Sequence, residues 1–471
     1  MTGASGNGRK KNAVRRLAGA GTPERVALFG TFDTGNFGDC LFPPIVRQQV
    51  SQRLENLEVM AFSPTNRVPP TASYSRVYAF SELGDACEAG LTAFMIGGGA
   101  LLSTEHVLFS YPEIRLLYPY SLKCWLLPAM IARACGSALI LNGVGLGPFD
   151  VAYDGLARKY LGGAALSGVR DEMTHDYLRG LGVSSEIVPD SGILTPELQS
   201  SADWESSFGK LRRRFNLPEK YVAVQASLFL GGELERFAES AGEAVRHMGL
   251  PAVFVPICHH LNDLVACRIA RGIFERRGVR TASVDAALTS LETSAILRQA
   301  TLFVGTSLHG ALVTLSFGKL AVSFSLGSMK KNRTVLETVG AADCCVHETL
   351  QLPGKIAAAL GRAGEGQCAS GFEQARRRLA LFFDRACDVI GSNAGKRAQR
   401  PPRLRISRGE VFCEGIEEDL SEVKRLSVEY RKHVPLLRRC GAFAVRNNRA
   451  ASELYDRVLH WAAVRRTAGR P

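Results

Sequence analysis

The chain has 471 residues, 46% of them apolar, and a formal net charge of +13. That length exceeds one ordinary domain and suffices for two sizeable cores. Its 12 cysteines are scattered, with no CxxC pair and no histidine cluster at zinc spacing, which excludes a disulfide scaffold or a zinc module.

No apolar stretch reaches the length of a membrane span. The cysteines read as reduced core thiols of a cytosolic protein, so a cytoplasmic location is expected. The N-terminus, MTGASGNGRKKNAVRRLAGAG, is basic but lacks the apolar core of a secretory signal. Charge is concentrated at the ends. Residues 1–25 hold six Lys/Arg against one Glu, and residues 396–471 hold eighteen against nine Asp/Glu; the remainder is nearly neutral. No zinc finger, RNP motif or basic–aromatic interleaving appears, so nucleic acid is not an expected partner. Basic ends fit solvated tails, and also attraction to the anionic inner face of a membrane.

In chain order, residues 1–24 read as a disordered basic tail. Arg25–Gly30 is the first strand, and it runs into the glycine-rich loop Thr31–Asp39. A helix is expected near Leu41 to Leu54. Strand, glycine loop and helix form a ligand-cradling arrangement, yet the loop has neither the dinucleotide fingerprint nor the Walker spacing. Gly35 and Gly38 permit close backbone approach. Asn36 and Asp39 can hydrogen-bond a hydroxyl-rich ligand or hold the loop together. Leu57–Phe62 and Ala93–Ile96 are further strands, the latter ending in Gly97-Gly98-Gly99. An apolar helix over 119–135 leads to the strand Ala138–Leu141, followed by Asn142-Gly143-Val144-Gly145. Strand ends that finish in glycine loops share one edge of a parallel sheet, which predicts an open cleft there.

Ala165–Arg170 is another short strand, followed by a helix from Asp171 to Leu181. Arg170 is an obligate cation with a bidentate fork, suited to a carboxylate or phosphate; an ion pair with Asp171 or Glu172 is the structural alternative. Glu186–Gly192, with Asp190, closes the first domain. Residues 197–218 read as a polar interdomain helix. A second α/β series begins at Tyr221–Gln225. It continues through Ala252–Pro256, whose loop carries His259, His260 and Asp263, read as substrate-hydroxyl contacts in preference to metal ligands. Thr281–Val284, Leu302–Val304 and Leu320–Phe324 complete the strands. The stretch TLFVGTSLHGALVTL, 301–315, turns from a buried strand into a helix. It sets Ser307, Leu308, His309 and Gly310 at a helix N-terminus, where an anion is the natural guest and a histidine can titrate. A helical segment over 371–389 is expected to pack back on the first domain. The predicted division is thus 26–196 and 219–391 for the two α/β domains, 392–405 for a linker, and 406–471 for a basic helical extension.

Taken together, Gly35-Asn36-Phe37-Gly38-Asp39, Ile96-Gly97-Gly98-Gly99, Gly143-Val144-Gly145, Gly168-Val169-Arg170-Asp171, Val188-Pro189-Asp190 and Ser307-Leu308-His309-Gly310 resemble the polysaccharide pyruvyl transferase family. Six pieces match in order and spacing over residues 26–330. The resemblance implies an α/β fold of two Rossmann-like parallel-sheet domains facing across a cleft, GT-B-like, with a C-terminal helical extension. It implies transfer of a pyruvyl unit from phosphoenolpyruvate onto two hydroxyls of a sugar in a cell-surface or exopolysaccharide precursor, free or lipid-linked, with release of phosphate. Phosphoenolpyruvate would be the donor substrate, with no resident cofactor and no metal. The implied catalytic residues are His309 as acid/base and Arg170 on the donor's anionic groups. The implied substrate contacts are Gly35, Asn36, Gly38, Asp39, Gly98, Gly99, Gly145, Asp190, His259, Ser307, Leu308 and Gly310. Some members carry Arg two residues before the histidine, where this chain has Ser307; Lys319, Lys330, Lys331 and Arg333 are candidate replacements. The alternatives are a sugar-nucleotide glycosyltransferase of the same fold and a non-catalytic carbohydrate-binding or assembly homologue. The sequence does not specify an oligomeric state.

Overall fold

The computed structural model describes residues 15–16, 23–104, 121–326, 331–361, 369–394, 402–406 and 411–433. Apolar runs such as ERVALF and AFMIG are too short for helices and are buried on both faces, as strands of a covered parallel sheet must be. The first sheet contains β1 (Glu24–Phe29), β2 (Leu57–Ser63), β3 (Tyr78–Ala79), β4 (Ala93–Gly97), β5 (Ala138–Val144), β6 (Leu166–Val169) and β7 (Glu186–Ile187). All its pairings are parallel, in the order β3-β2-β1-β4-β5-β6-β7. The second contains β8 (Val222–Gln225), β9 (Ala252–Phe254), β10 (Thr281–Ser283), β11 (Leu302–Gly305), β12 (Leu320–Phe324) and β13 (Cys345–Val346), also parallel, in the order β10-β9-β8-β11-β12-β13. Each sheet reverses its winding once, between β1 and β4 and between β8 and β11. A crevice opens at such a reversal, at the carboxyl ends of the strands.

The two sheets share one core. A continuous apolar cluster joins Val26 and Leu28 of β1, Ile45 and Val46 of the helix Phe37–Ser51 (α1), Trp204 and Leu211 of the helix Ser201–Phe215, Val253 of β9 and Leu312 of the helix Leu308–Ser316 (α2). The expected helix near Leu41–Leu54 starts earlier, at Phe37, because the Asn36 side chain caps it by accepting from Gly38 N–H at 3.0 Å. Pro43 and Pro44 lie inside this helix, and each lacks the N–H that would satisfy a carbonyl one turn back. The carbonyl of Cys40, left open by Pro44, accepts from Ser290 Oγ of the second domain at 3.4 Å. A helix defect in one domain is thus completed by the other.

The helix Ala369–Asn393 returns to the first domain, with Phe382 packed over Gly168, Arg53 Nε on Asp384 at 2.7 Å and Arg385 on Glu186 at 2.6 Å. It runs into the stretch read as a linker. Leu404–Ile406 pairs antiparallel with Val411–Cys413, and the helix Glu417–His433 follows. Val411, Cys413, Ile416, Leu420 and Val423 are buried in the outer core of the first domain beside Trp125 and Tyr160. The described part of the extension is therefore packed onto the first domain by its apolar face. In the stretch read as a disordered tail, Arg15–Arg16 pair parallel with Leu54–Glu55, and Glu24 already belongs to β1. The rest of residues 1–22, and residues 434–471, lie outside the described residues. The two-residue edge strands β3 and β13 carry no readable periodicity. Among the described residues no helix is long and apolar enough to cross a membrane.

The glycine triplet after β4 is a packing requirement. Gly98 has φ +76°, and a Cβ there would lie 2.2 Å from the Phe42 ring of α1. Gly98→Ala combines a left-handed backbone with overpacking, and should destabilise the protein by about 2–4 kcal/mol. The shift of the denaturant midpoint in the full chain measures it.

Candidate functional site

The residues singled out in sequence converge where the two windings reverse. The loop after β1 brings Thr31 and Asp39, the ends of β5 and β6 bring Gly145, Arg170 and Asp171, and the turn after β7 brings Asp190. From the second sheet, the turn after β11 brings Ser307 and His309.

Asp190 is the hub. It is fully buried, and its Oδ1 accepts from Gly192 N–H at 2.9 Å, capping the short turn that begins at Ser191. Its Oδ2 lies 3.4 Å from Arg170 Nη1 and 3.4 Å from His309 Nε2. Burial alone would raise its pKa; the facing His309 and Arg170 outweigh that and hold the carboxyl well below the usual range. Arg170 has no exposed surface. Its Nε is 3.7 Å from Asp171 Oδ2, and Gly145 exists to admit it, since a Cβ there would be 2.3 Å from Nε. Both structural partners, Asp171 and Asp190, are thus occupied by this one guanidinium, while its Nε and Nη2 have no hydrogen-bond partner.

His309 is in the first turn of α2, where the Ser307 Oγ accepts from Gly310 N–H at 3.1 Å. Ser307 is therefore the helix cap. The imidazole lies against α1: a Cβ on Gly38 would be 2.0 Å from His309 Nδ1, and Phe42 meets the ring edge-on at 5.6 Å. Gly38 is what lets a histidine of one domain touch the helix N-terminus of the other. Asp39, in that first turn of α1, accepts from Thr31 Oγ1 at 2.7 Å. Burial raises its pKa, with the Thr31 bond and the charges of His309 and Lys331 opposing. Lys331 opens the helix Lys331–Glu337. It is accessible to water, yet desolvation in the cleft and then repulsion from Arg170 push its pKa down to about 8, against the attraction of Asp39 and Asp190. It therefore remains an ammonium at neutral pH.

Other expected contacts are placed elsewhere. Leu308 is buried in the shared core, and Gly310 is pressed on Phe303 and Ile257, where a Cβ would sit 2.5 Å from the Phe303 ring. Both are buried, because every residue of α2 except His309 is covered by its neighbours. Gly35, at φ +79°, turns the loop under Pro69 and Thr71, and Gly99 lies beside Asp39. Asn36 caps α1 and bridges to Cys258. His259 is half-buried, and burial lowers its pKa. Lys319 precedes β12 and so stands at the edge of the sheet opposite the cleft. Arg333 acts on Cys345, and Lys330 lies outside the described residues.

Sequence reading missed Gln225 and Asn332, and it read Asp263 as a substrate-hydroxyl contact where the structure buries it against Gln225 and the Ile257–Cys258 backbone. Gln225, Asp263 and Asn332 are all buried around the His309 turn. Asn332 Nδ2 donates to the Thr306 carbonyl at 3.1 Å and to Ser323 Oγ at 3.0 Å, tying the Lys331 helix to that turn. The available signal was a polar residue closing a buried strand, as Gln225 closes Tyr221-Val222-Ala223-Val224. Among the described residues no three His, Cys, Asp or Glu gather as a metal cluster would. The assembled site can hold a polyanion at two helix N-termini beside Lys331, and can move a proton at His309.

A polysaccharide pyruvyl transferase family model matches residues 36–328, and the chain belongs to that family. The fold is the two-domain GT-B type. Among solved structures it is similar to the UDP-GlcNAc 2-epimerase from Neisseria meningitidis bound to UDP-GlcNAc. That match has a TM-score of 0.50 and 11% identity, over 79% of this chain and 100% of that one. A putative UDP-N-acetylglucosamine 2-epimerase from Listeria monocytogenes matches with a TM-score of 0.49 and 12% identity over 81% of this chain and 99% of its own. At such identities the likeness concerns the fold. A sequence search of characterised proteins returned no significant match.

The Asp190 hub carries a pH signature. Its depressed pKa means the folded state prefers the carboxylate, so this stabilisation is present above the unfolded value of about 4 and is lost as pH falls below it. Asp190→Asn should lower Tm at pH 7, because it leaves Arg170 short of one buried counter-charge, and the gap to wild type should shrink below about pH 4. Melting curves of both proteins against pH test this.

Proposed function

We propose that the chain is a phosphoenolpyruvate-dependent ketal pyruvyltransferase acting on a sugar of a cell-surface or exopolysaccharide precursor. The observation that carries this is the His309–Asp190 pair, 3.4 Å apart, set at the N-termini of α1 and α2 with Lys331 beside it. Transfer requires a proton delivered to the enol methylene, which makes the adjacent carbon electrophilic. One sugar hydroxyl adds there and loses its proton, phosphate departs, and a second hydroxyl closes the ring and loses its proton. A positioned acid/base contributes about 10²–10⁴-fold. Asp190 orients His309 through Nε2, which leaves the Nδ1 edge, toward Gly38, for proton transfer. Asp39, in the first turn of α1 and bonded by Thr31, lies in the field of His309 and Lys331. Lys331 and the two helix ends receive the phosphate and carboxylate. Arg170, sealed behind Asp190, acts on the donor by holding that carboxylate and by its field.

Phosphate release from phosphoenolpyruvate should appear in the presence of a suitable oligosaccharide, together with a product heavier by one ketal. His309→Ala should lower turnover by at least about 10²-fold in a folded protein. Transfer from a sugar nucleotide with no use of phosphoenolpyruvate would overturn the donor assignment, and binding of sugars without turnover would indicate a non-catalytic homologue. A second outcome concerns charge. Because Lys331 loses its proton near pH 8, the apparent KM for phosphoenolpyruvate should climb as pH rises through that value, and Lys331→Met should raise KM at pH 7 and remove the climb.

A further inference from the structure

The turn that carries His309 is held by a buried amide–carboxylate couple. Gln225, 2% exposed at the end of β8, accepts at Oε1 from Thr306 N–H at 2.9 Å, Thr306 Oγ1–H at 3.1 Å and Ser307 N–H at 2.9 Å. Its Nε2 donates to the Ala226 carbonyl at 3.1 Å and to Asp263 Oδ2 at 2.9 Å. Asp263, 1% exposed, accepts with that same oxygen from Cys258 N–H at 2.9 Å and Ile257 N–H at 3.3 Å. The latter two residues meet the other domain: Phe37 N–H donates to the Ile257 carbonyl at 3.3 Å, and Asn36 bridges to Cys258. The contacts close a circuit. It runs from the start of α1 through Ile257 and Cys258 to Asp263, through Gln225 to Thr306 and Ser307, and through Ser307 to His309, which rests on Gly38 of α1.

We propose that Gln225 and Asp263 are positioning residues for the pyruvyl transfer: Asp263 fixes which end of the Gln225 amide faces the Ser307 turn, and the amide fixes where His309 stands relative to α1. An amide can face either way by size alone. Here the carboxylate requires the NH₂ end, so the oxygen end must receive the two turn N–H groups. Gly305 is part of the fit, since a Cβ there would lie 3.0 Å from Gln225 Oε1. The couple matters because the proton path joins groups from two domains, and neither domain alone sets their spacing. A second mode of holding the turn, Asn332 on the Thr306 carbonyl, fixes the acceptor side of the same peptide and leaves the N–H side to Gln225. This inference rests on the proposed reaction for its kinetic readout, and on His309 alone for its chemical one.

The test uses full-length Gln225→Met, Gln225→Glu, Asp263→Asn and the Gln225→Glu/Asp263→Asn pair, each checked by thermal melting. Two quantities are read: kcat and KM for phosphoenolpyruvate, and the rate at which diethylpyrocarbonate acylates His309, followed by peptide mass. Gln225→Met should lower kcat by at least tenfold and raise the His309 acylation rate several-fold. Gln225→Glu, which sets two carboxylates face to face, should do the same, while Asp263→Asn alone is mild because the amide can still present its oxygen to the N–H groups. Adding Asp263→Asn to Gln225→Glu should recover part of both readouts, since the new amide can donate to the new carboxylate. Folded Gln225→Met or Gln225→Glu with wild-type kcat and wild-type His309 acylation, or effects that merely multiply in the pair, would overturn the positioning role. If wild type itself leaves phosphoenolpyruvate untouched, the reaction assignment fails, and the acylation series still decides the couple.

Discussion

One buried carboxylate oxygen organises this protein. Asp190 Oδ2 faces a guanidinium from its own sheet and an imidazole from the other domain, each at 3.4 Å. In a low-dielectric interior neither partner is tolerated without the other charges: removal of one member of a buried pair commonly costs about 3–5 kcal/mol. Arg170 therefore needs Asp190 and Asp171, Asp190 needs Arg170, and His309 is drawn to a position that would otherwise be unoccupied apolar contact between domains. The glycines follow from that demand. Gly145 admits the guanidinium and Gly38 admits the imidazole, and in both places a methyl group would stand within 2.3 Å of a ring or guanidinium nitrogen.

The two Rossmann-like windings explain why these groups meet. A parallel sheet delivers all its loop ends to one edge, and the reversal of winding separates two neighbouring loops so that something can enter. Here both domains turn their reversals toward each other. The β1 loop and the β11 turn come face to face, α1 and α2 aim their N-termini at one region, and the shared apolar core behind them keeps the register. The proline pair in α1 belongs to the same logic, because the Cys40 carbonyl left without its helical donor is satisfied across the interface by Ser290.

Most of this skeleton was legible in the residues. Apolar runs located the main strands, and their glycine-rich ends announced the cleft. His309 stood out because a histidine follows a strand–turn capped by Ser307. What local sequence could not supply was distance. Arg170 has equal claims on Asp171, Glu172 and a ligand when read along the chain; only the packing of the turn after β7 brings Asp190, twenty residues on, against its Nη1. Leu308 and Gly310 share a motif with His309, yet α2 is covered on every side and among its residues His309 alone is not buried. Gln225 looked like the end of a strand because its partners, Thr306 and Asp263, lie 81 and 38 residues away.

Ser307 shapes the mouth of the cleft as a helix cap. An Arg at that position would carry a full charge toward the cleft but could not accept a hydrogen bond from the first turn of α2. Serine gives up the charge and caps the helix through Gly310 N–H. The cap fixes the remaining free N–H groups of that turn, so positive potential at the mouth comes from oriented backbone, with Lys331 supplying a mobile charge from the next helix. Backbone dipoles cannot be titrated away, whereas the charge of a lysine pushed down to about 8 is lost by deprotonation as pH rises. A cleft built this way separates the permanent part of its attraction for an anion from the titratable part. The pH response of any anion held there then belongs to Lys331, and the placement of His309 belongs to Asp190 and the turn that holds it.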